Sequence, residues 1–259
     1  MCIRNGEKMM KLKDKIAFVT GSTRGIGYQI ARLFLQEGAK VVVCGSREET
    51  VKEAIRQLEE ELSLPEDRIY PMALNMKNKE EIRSKVKEVI NKWGRIDILV
   101  NNAGITSQKN LVDSTDDEFQ EMFDINFFGP VCLTREVVSY MKEHGGSIIN
   151  TSSMVGIYGG RGQAAYATSK SAINGLTKSL AKELGEYNIR VNAVAPGVVG
   201  TEMVKEHVTP EMKQLLIGMT PLKRMATPSD LAPIYLYLAS DDSLFTTGTI
   251  IQVDGGLVM

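Results

Sequence analysis

The sequence contains few of the residues that build disulfide frameworks or metal centres. Its 259 residues include three cysteines and two histidines. Cys2, Cys44 and Cys132 are widely spaced and form no C-x-x-C pair, which argues against a disulfide framework and a thiolate metal site and indicates a reducing compartment. His144 and His207 lie outside the motifs described below. We therefore expect no metal site.

The sequence also lacks a strong net charge and a long apolar run. The formal net charge of −1 at pH 7 gives no electrostatic reason to expect nucleic acid or an anionic membrane as a partner. No run approaches the ~18 uninterrupted apolar residues of a membrane span, and the first residues contain no apolar signal-peptide core. We expect a cytoplasmic protein. Residues 1–12 are predicted to be an N-terminal extension, with Met9 or Met10 as alternative starts.

The sequence does contain a regular alternation of apolar strands and helical patterns. The predicted strands are 15–20, 40–44, 68–73, 97–100, 148–150, 189–195 and 250–253. One predicted helix ends near 37, and others cover 48–62, 79–93, 116–126 and 229–238. A further helix runs to about 143 and is broken at 129–130, and another begins near 163. No linker interrupts this order. It predicts one α/β domain over residues 13–259, a doubly wound parallel sheet of about seven strands with helices on both faces.

A glycine turn follows the first of these strands. Gly21, Gly25 and Gly27 form a G-x-x-x-G-x-G pattern that opens a helix. Glycines let the backbone approach a pyrophosphate, and the helix N-terminus offers free N–H groups. The turn could also be a tight helix start without a ligand. Its place between a strand and a helix favours dinucleotide binding.

A second group of polar residues lies on one continuous stretch, 146–184. An apolar strand ends in hydroxyl residues, a glycine-rich loop follows, and a helix then carries Tyr166 and Lys170. Residues four apart share one helix face. A phenol beside an ammonium, facing Ser153 at the strand end, has the composition of a proton-transfer site. By itself, the pair could be an ordinary surface helix pair with Ser153 as a strand-end cap.

The order and spacing of these motifs resemble the short-chain dehydrogenase/reductase family. The residues that carry the resemblance are Thr20–Gly27, Asn101–Gly104, Asn126, Ser153, Tyr166 with Lys170, and Pro196-Gly197. Ser153 lies 13 residues and Asn126 lies 40 residues before Tyr166, as in the family. The resemblance covers residue 11 to the C-terminus. It implies a Rossmann fold, hydride transfer between a nicotinamide and a ketone or secondary alcohol, and a homotetramer.

The resemblance also implies a role for each catalytic residue. Tyr166 would exchange a proton with the substrate oxygen, and Ser153 would hydrogen-bond that oxygen. Lys170 would hold the nicotinamide ribose, and Asn126 would position a water that feeds a proton relay. Asn126 could instead be a buried helix amide. The Lys170 ammonium and the charge of oxidised nicotinamide predict a lowered pKa for Tyr166.

The end of the second strand predicts NADP(H) as the cofactor. Relatives that use NAD carry an acid there, whereas this chain has Ser46 and Arg47 and no acid before Glu48. Arg24 and Arg47 could flank a 2′-phosphate, although they could also be plain surface residues. The predicted cofactor-binding residues are Gly21, Thr23, Arg24, Gly25, Ile26, Gly27, Ser46, Arg47, Asn75, Met76, Asn102, Ala103, Gly104, Tyr166, Lys170, Pro196, Gly197, Val199 and Thr201. Asn75 replaces an aspartate that the family often has near the adenine.

Two classes of small-molecule substrate compete. The family's 3-oxoacyl carrier-protein reductases grip their acidic partner with two arginines, and the matching residues here are His144 and Tyr187, with Lys142 nearby. Stretches such as 102–107 and 155–159 instead resemble bacterial hydroxysteroid (bile-acid) dehydrogenases. We rank a hydroxysteroid first, a 3-oxoacyl thioester second and a sugar or polyol third. A non-catalytic NADP-binding protein is disfavoured because Tyr166 and Lys170 are both present.

The substrate is expected to lie against an adaptable, partly methionine-lined wall. The predicted substrate-binding residues are Ser153, Met154, Tyr158, Gln163 and Met203. Residues 198–218 are predicted to form a lid that includes proline-free helical turns, with hinges at Pro196-Gly197 and Gly200.

Overall fold

Parallel strands form the sheet at the centre of the computed structural model, which describes residues 3–4, 7–8, 10–202 and 209–257. In the order in which they pair, the strands are β5 (Ile69–Ala73), β4 (Lys40–Gly45), β3 (Ile16–Val19), β6 (Ile98–Asn101), β7 (Gly146–Thr151), β8 (Ile189–Pro196) and β9 (Ile250–Val253). All of these pairings are parallel. A separate antiparallel pair joins β1 (Ile3–Arg4) to β2 (Glu7–Lys8). The prediction of a doubly wound parallel sheet is confirmed.

Helices cover both faces of the sheet. They are α1 (Gly25–Gln36), α2 (Glu48–Glu61), α3 (Lys79–Trp93), α4 (Asp116–Phe123), α5 (Gly129–Met141), α6 (Val155–Tyr158), α7 (Ala164–Leu184), α8 (Pro210–Met219) and α9 (Pro228–Ala239). Two separate apolar clusters result, because a buried parallel strand directs side chains to both faces. One cluster joins α1, α2 and α9 to the sheet, and the other joins α3, α5 and the end of α7.

The strand order reverses between β3 and β6. From β3 the chain adds β4 and β5 on one side, then returns to place β6 on the other side of β3. In open α/β sheets, ligands bind beyond the carboxyl ends of the strands at such a switch point. The glycine turn after β3 and the Asn101–Gly104 segment after β6 therefore meet there.

The local predictions need correction at four places. Leu12, assigned to the extension, is fully buried in the core, and its N–H donates to the Glu37 carbonyl at 2.9 Å. The helix that runs toward residue 143 is interrupted by a π-helical turn at Asp124–Phe128. Gly129-Pro130 begins α5 rather than breaking it, because proline lacks only an N–H that the first turn does not use. For the same reason, Pro210 begins α8 in the segment where the helical turns were predicted to be proline-free.

Among the described residues, no helix is long and apolar enough to cross a membrane.

Candidate active site

The turn after β3 brings backbone atoms closer together than side chains would permit. Gly21 and Gly25 have φ angles of +63° and +57°. A Cβ atom on Gly27 would lie 2.1 Å from the Gly21 carbonyl oxygen, and one on Gly21 would lie 2.9 Å from the Cα of Ala103. Only glycine fits such positions. The bare backbone at the start of α1 therefore fits a dinucleotide pyrophosphate.

Thr20 and Asn102 join this turn to the end of β6. The Thr20 hydroxyl accepts the N–H groups of Asn102 at 2.9 Å and Ala103 at 3.0 Å. The side-chain amide of Asn102 donates to the carbonyl oxygens of Thr20 at 3.1 Å and Gly21 at 3.2 Å. The glycine turn and the segment after β6 are thus held as one unit at the switch point.

Arg24 and Arg47 are exposed, each directly before a helix that follows its strand. Among the residues that the structure describes, neither guanidinium has an ion-pair or hydrogen-bond partner. Ser46 is exposed as well, and the first acid, Glu48, faces Lys52 at 3.5 Å on α2. Both guanidinium groups therefore remain available to a phosphate.

The segment after β8 leads back toward the glycine turn. Pro196 ends β8, and Val199 is buried and pairs with Ala226 in a short parallel bridge. A Cβ atom on Gly25 would lie 3.3 Å from Cγ2 of Thr201. The structure therefore brings Thr201 to the side of the glycine turn, as the predicted cofactor set requires.

Two predicted adenine-side residues follow β5. Asn75 is exposed, and its Oδ1 accepts the N–H of Lys77 at 3.0 Å. Met76 is 8% exposed and packs against Gly129. Only the side chain of Asn75 is therefore accessible to a ligand, whereas the side chain of Met76 belongs to the core.

Ser153 and Tyr166 meet beyond the end of β7. Ser153 follows the strand by two residues, and Tyr166 lies in the first turn of α7. The Ser153 hydroxyl faces the Tyr166 phenol closely enough to lower its pKa. Ser153 Oγ also accepts the N–H of Val155 at 3.3 Å, which holds the serine at the start of α6.

Lys170 lies one helical turn after Tyr166 and is 4% exposed. Its ammonium donates to the Thr151 carbonyl at 2.8 Å and lies 5.7 Å from the centre of the Tyr166 ring. Burial lowers the pKa of Lys170 to about 8, because desolvation disfavours the charged form. The strand end that supplies Ser153 therefore also anchors the lysine.

The predicted lowering of the Tyr166 pKa is wrong for the protein by itself. Burial raises the pKa of Tyr166, and the nearby Ser153 hydroxyl offsets this only in part. The Lys170 ammonium is directed to a backbone carbonyl, so it does not reverse the effect of burial. The protein therefore holds Tyr166 in its protonated form.

Asn126 lies in the π-helical turn and is 1% exposed. Its Oδ1 accepts the N–H of Ile105 at 2.9 Å, and its Nδ2 donates to the Ile105 carbonyl at 2.9 Å and to Ser169 Oγ at 3.2 Å. A Cβ atom on Gly104 would lie 3.0 Å from Asn126 Oδ1 and 3.5 Å from Lys170 Nζ. Asn126 therefore borders the lysine and also fixes the loop after β6, while its water relay stays a prediction.

The predicted substrate side is more open. Tyr158 is 50% exposed, and its hydroxyl is within hydrogen-bond distance of both Gln252 side-chain atoms, at 3.2 Å from Oε1 and 2.9 Å from Nε2. Met154 immediately precedes α6, and Gln163 folds over Gly160 at the start of α7. Tyr158 thus contacts the edge strand β9.

Part of the predicted substrate wall lies outside the described residues. This applies to Met203, and the lid is described only at 198–202 and 209–218. In the second part, α8 exposes Met212 (39%), Leu215 (62%) and Met219 (58%).

Sequence reasoning missed two residues that support the site. Thr151 provides the carbonyl that accepts the Lys170 ammonium, and its hydroxyl lies 2.8 Å from the hydroxyl of Tyr235 on α9. Tyr235 is fully buried. A tyrosine on an apolar helix 84 residues from its partner gave no local signal, because only the tertiary fold brings α9 under the end of β7.

The surface that would correspond to a carrier-protein dock has lost its arginines. His144 Nε2 lies 3.2 Å from the Ile96 carbonyl oxygen. Lys142, which could compensate in part, lies over the Tyr187 ring at 4.3 Å from its centre. These contacts leave no pair of free cations at the two family positions.

Comparisons with known proteins agree with this geometry. A family model described as enoyl-(acyl carrier protein) reductase matches residues 21–258. The chain is 44% identical to a 3alpha-hydroxysteroid dehydrogenase of Mediterraneibacter gnavus over 95% of this chain and 98% of that protein. It is 41% identical to a 3-oxoacyl-[acyl-carrier-protein] reductase of Thermotoga maritima over 96% and 100%. A crystal structure of a provisionally assigned gluconate dehydrogenase from Agrobacterium tumefaciens superposes with a TM-score of 0.92 at 28% identity, covering 98% of this chain and all of the other.

Proposed function

The chain belongs to the short-chain dehydrogenase/reductase family, and from this premise we propose that it is an NADP(H)-dependent hydroxysteroid dehydrogenase. The observation that carries the proposal is the cluster at the end of β7. There the Ser153 hydroxyl faces the Tyr166 phenol, and the buried Lys170 ammonium lies beside the same ring. A surface helix pair would have neither the burial nor the shared anchor.

Tyr166 is the proton donor in ketone reduction and the acceptor in alcohol oxidation. A phenol is protonated in the neutral range, so Tyr166 can donate its proton to a ketone oxygen. Ser153 holds the substrate oxygen and the phenol in one hydrogen-bonded arrangement. Lys170 supplies positive charge that stabilises the phenolate left after transfer.

The residues at the switch point fit a nicotinamide dinucleotide. Gly21, Gly25 and Gly27 would accommodate the pyrophosphate, and Lys170 would hold the nicotinamide ribose. When bound, the nicotinamide supplies or accepts the hydride. Arg24 and Arg47 support NADP(H), because both guanidinium groups are exposed and no acidic residue lies between the end of β4 and Glu48.

The choice of a bulky apolar substrate is supported by the open side of the site. The described part of the lid exposes methionine and leucine side chains, which suit an irregular apolar ligand. A 44% identical relative is named as a 3alpha-hydroxysteroid dehydrogenase.

A 3-oxoacyl thioester reductase is the second candidate, and it is favoured by the 41% identical relative of that name. The contacts at Lys142, His144 and Tyr187 count against an acidic carrier protein as the partner. A coenzyme A thioester, the other form of this substrate, would not need a docking surface for an acidic carrier protein.

The test is the rate of NADPH oxidation with 3-, 7- and 12-oxo bile acids and with acetoacetyl thioesters. We expect the highest kcat/KM with an oxo bile acid, and at least about tenfold higher kcat/KM with NADPH than with NADH, as expected for one charged hydrogen bond. Turnover of thioesters alone would refute the steroid assignment, and a preference for NADH would refute the cofactor assignment. We also propose a cytoplasmic homotetramer, which sedimentation equilibrium of the purified protein tests.

A further inference from the structure

A chain of hydrogen bonds leads from α9 to the glycine turn. The Tyr235 hydroxyl lies 2.8 Å from Thr151 Oγ1, and Thr151 Oγ1 lies 3.4 Å from Asn102 Oδ1. Asn102 Nδ2 then donates to the Gly21 carbonyl at 3.2 Å. This series of hydrogen bonds links helix α9, strand β7, the end of β6 and the turn after β3.

The acceptors fix the direction of every link. The amide of Asn102 faces two carbonyl oxygens, those of Thr20 and Gly21, so Nδ2 must face them and Oδ1 must face Thr151. Oδ1 can only accept, so the Thr151 hydroxyl donates to it. That hydroxyl has one proton, so Tyr235 must be the donor to Thr151.

Tyr235 is well suited to this role. It is fully buried, and burial raises its pKa, so the phenol retains the proton that it donates. Thr151 is also buried. Each group in the chain therefore depends on the next.

Thr151 is the point at which this chain meets the catalytic lysine. Its hydroxyl donates to Asn102 in the series of hydrogen bonds that leads to the glycine turn, while its carbonyl accepts a hydrogen bond from the Lys170 ammonium at 2.8 Å. We infer that Tyr235 and Thr151 are positioning residues for the dinucleotide cradle, which is the glycine turn at residues 21–27 together with Asn102. They fix the position of this cradle relative to Lys170. This inference rests on the proposed function, in which that cradle binds a nicotinamide dinucleotide.

Binding of NADPH and NADH, measured by titration calorimetry, tests the inference without relying on turnover. Thr151→Val keeps the shape and the carbonyl but removes the hydroxyl, so Asn102 Oδ1 loses its donor. We expect NADPH binding to weaken about tenfold for Thr151→Val and about threefold for Tyr235→Phe, as the loss of one buried hydrogen bond predicts. Thr151→Ser restores the hydroxyl and should bind as the wild type does.

Thr177→Val is the matched control. Thr177 is a fully buried threonine on α7 that accepts the Asn150 amide at 2.9 Å and donates to the Ile173 carbonyl at 2.8 Å. Neither of these hydrogen bonds involves Tyr235, Thr151, Asn102 or Gly21. We expect Thr177→Val to lower Tm but to leave NADPH affinity within about twofold, since one displaced hydrogen bond affects only its own site.

The outcomes separate a positioning role from a general loss of stability. If Thr151→Val and Tyr235→Phe lower only Tm, as Thr177→Val does, the inference is wrong. It is also wrong if Thr151→Ser binds as weakly as Thr151→Val. If Thr151→Val does not fold, Tyr235→Phe makes the same comparison. A wild type that prefers NADH would contradict the proposed cofactor, and the variants would then be compared with NADH.

Discussion

The two sides of the active site differ in how their side chains are held. On the proton-transfer side, Lys170, Thr151 and Asn126 are buried, and each donates or accepts hydrogen bonds within the fold. On the substrate side, Tyr158 is half exposed, and α8 has no buried residue. Buried polar groups tolerate few arrangements because an unpaired one is costly. Exposed apolar groups accept many ligand shapes. This difference explains why the reaction class follows from a few residues whereas the substrate does not.

The most severe test of the buried side is Tyr166→Phe. Removal of the hydroxyl eliminates the proton donor, and we expect kcat for ketone reduction to fall about 10³-fold, within the range for a lost general acid. NADPH affinity should stay within about threefold, since the phenol mainly serves chemistry. Tyr237→Phe, which removes a hydroxyl bonded to Thr246, is the control and should remain active. A turnover by Tyr166→Phe close to that of the wild type would refute the mechanism.

The burial of Lys170 can be measured as a pH dependence of stability. Its folded pKa of about 8 lies below the ordinary value of 10.5. The unfolded chain therefore binds the Lys170 proton more tightly than the folded protein does. Burial of the charged lysine lowers the free energy of unfolding by its full amount below about pH 8, and this loss of stability disappears above about pH 10.5. Relative to Lys170→Met, the wild-type free energy of unfolding should rise by up to about 3 kcal/mol across this window.

Chemical denaturation at about pH 7 and about pH 10.5, without cofactor, measures this difference. Lys182→Met, an exposed position on the same helix, is the control and should show no such dependence. A constant difference between wild type and Lys170→Met would mean that the lysine is not desolvated.

The exposed arginines in the glycine turn and after β4 should affect cofactor selectivity rather than chemistry. For Arg24→Ala or Arg47→Ala we expect kcat/KM with NADPH to fall about 10- to 100-fold, as for a lost charged hydrogen bond, with little change for NADH. Arg56→Ala, an exposed arginine that pairs with Glu53 on α2, is the control. Equal losses with both cofactors would show that the arginines do not read the 2′-phosphate.

The smallest effect is expected from Tyr158→Phe. The variant keeps the apolar ring but removes the hydroxyl that forms a hydrogen bond with Gln252. We expect a roughly two- to fivefold higher KM for a bulky ketone and faster tryptic cleavage after the exposed Arg161, because one exposed hydrogen bond contributes about 1 kcal/mol or less. Gln252→Leu should reproduce both effects if Tyr158 acts by anchoring α6. An effect of Tyr158→Phe alone would instead indicate direct contact with the substrate.

Much of the fold was predictable because its signals are local. The strands are continuous apolar runs, and Asn78, Thr115 and Thr209 cap the helices that follow them. The errors arose where a tertiary contact decides. Leu12 follows a polar segment, yet the core extends to it. The backbone at Gly129 is approached by the Met76 carbonyl, 2.6 Å from a hypothetical Cβ, which the pattern of a glycine and a proline could not reveal.

The sequence by itself determined the family and, with it, the class of reaction, through the order and spacing of its motifs. Tyr166 and Lys170, four residues apart, share one helix face for a purely local reason. Only the tertiary structure decided their electrostatics and their support. Burial raises the pKa of Tyr166, although a lower pKa was predicted, and it lowers the pKa of Lys170, for which no shift was predicted from the sequence. Desolvation depends on every element packed around a group, and the contact of Thr151 with Tyr235 exists only once α9 lies against the sheet.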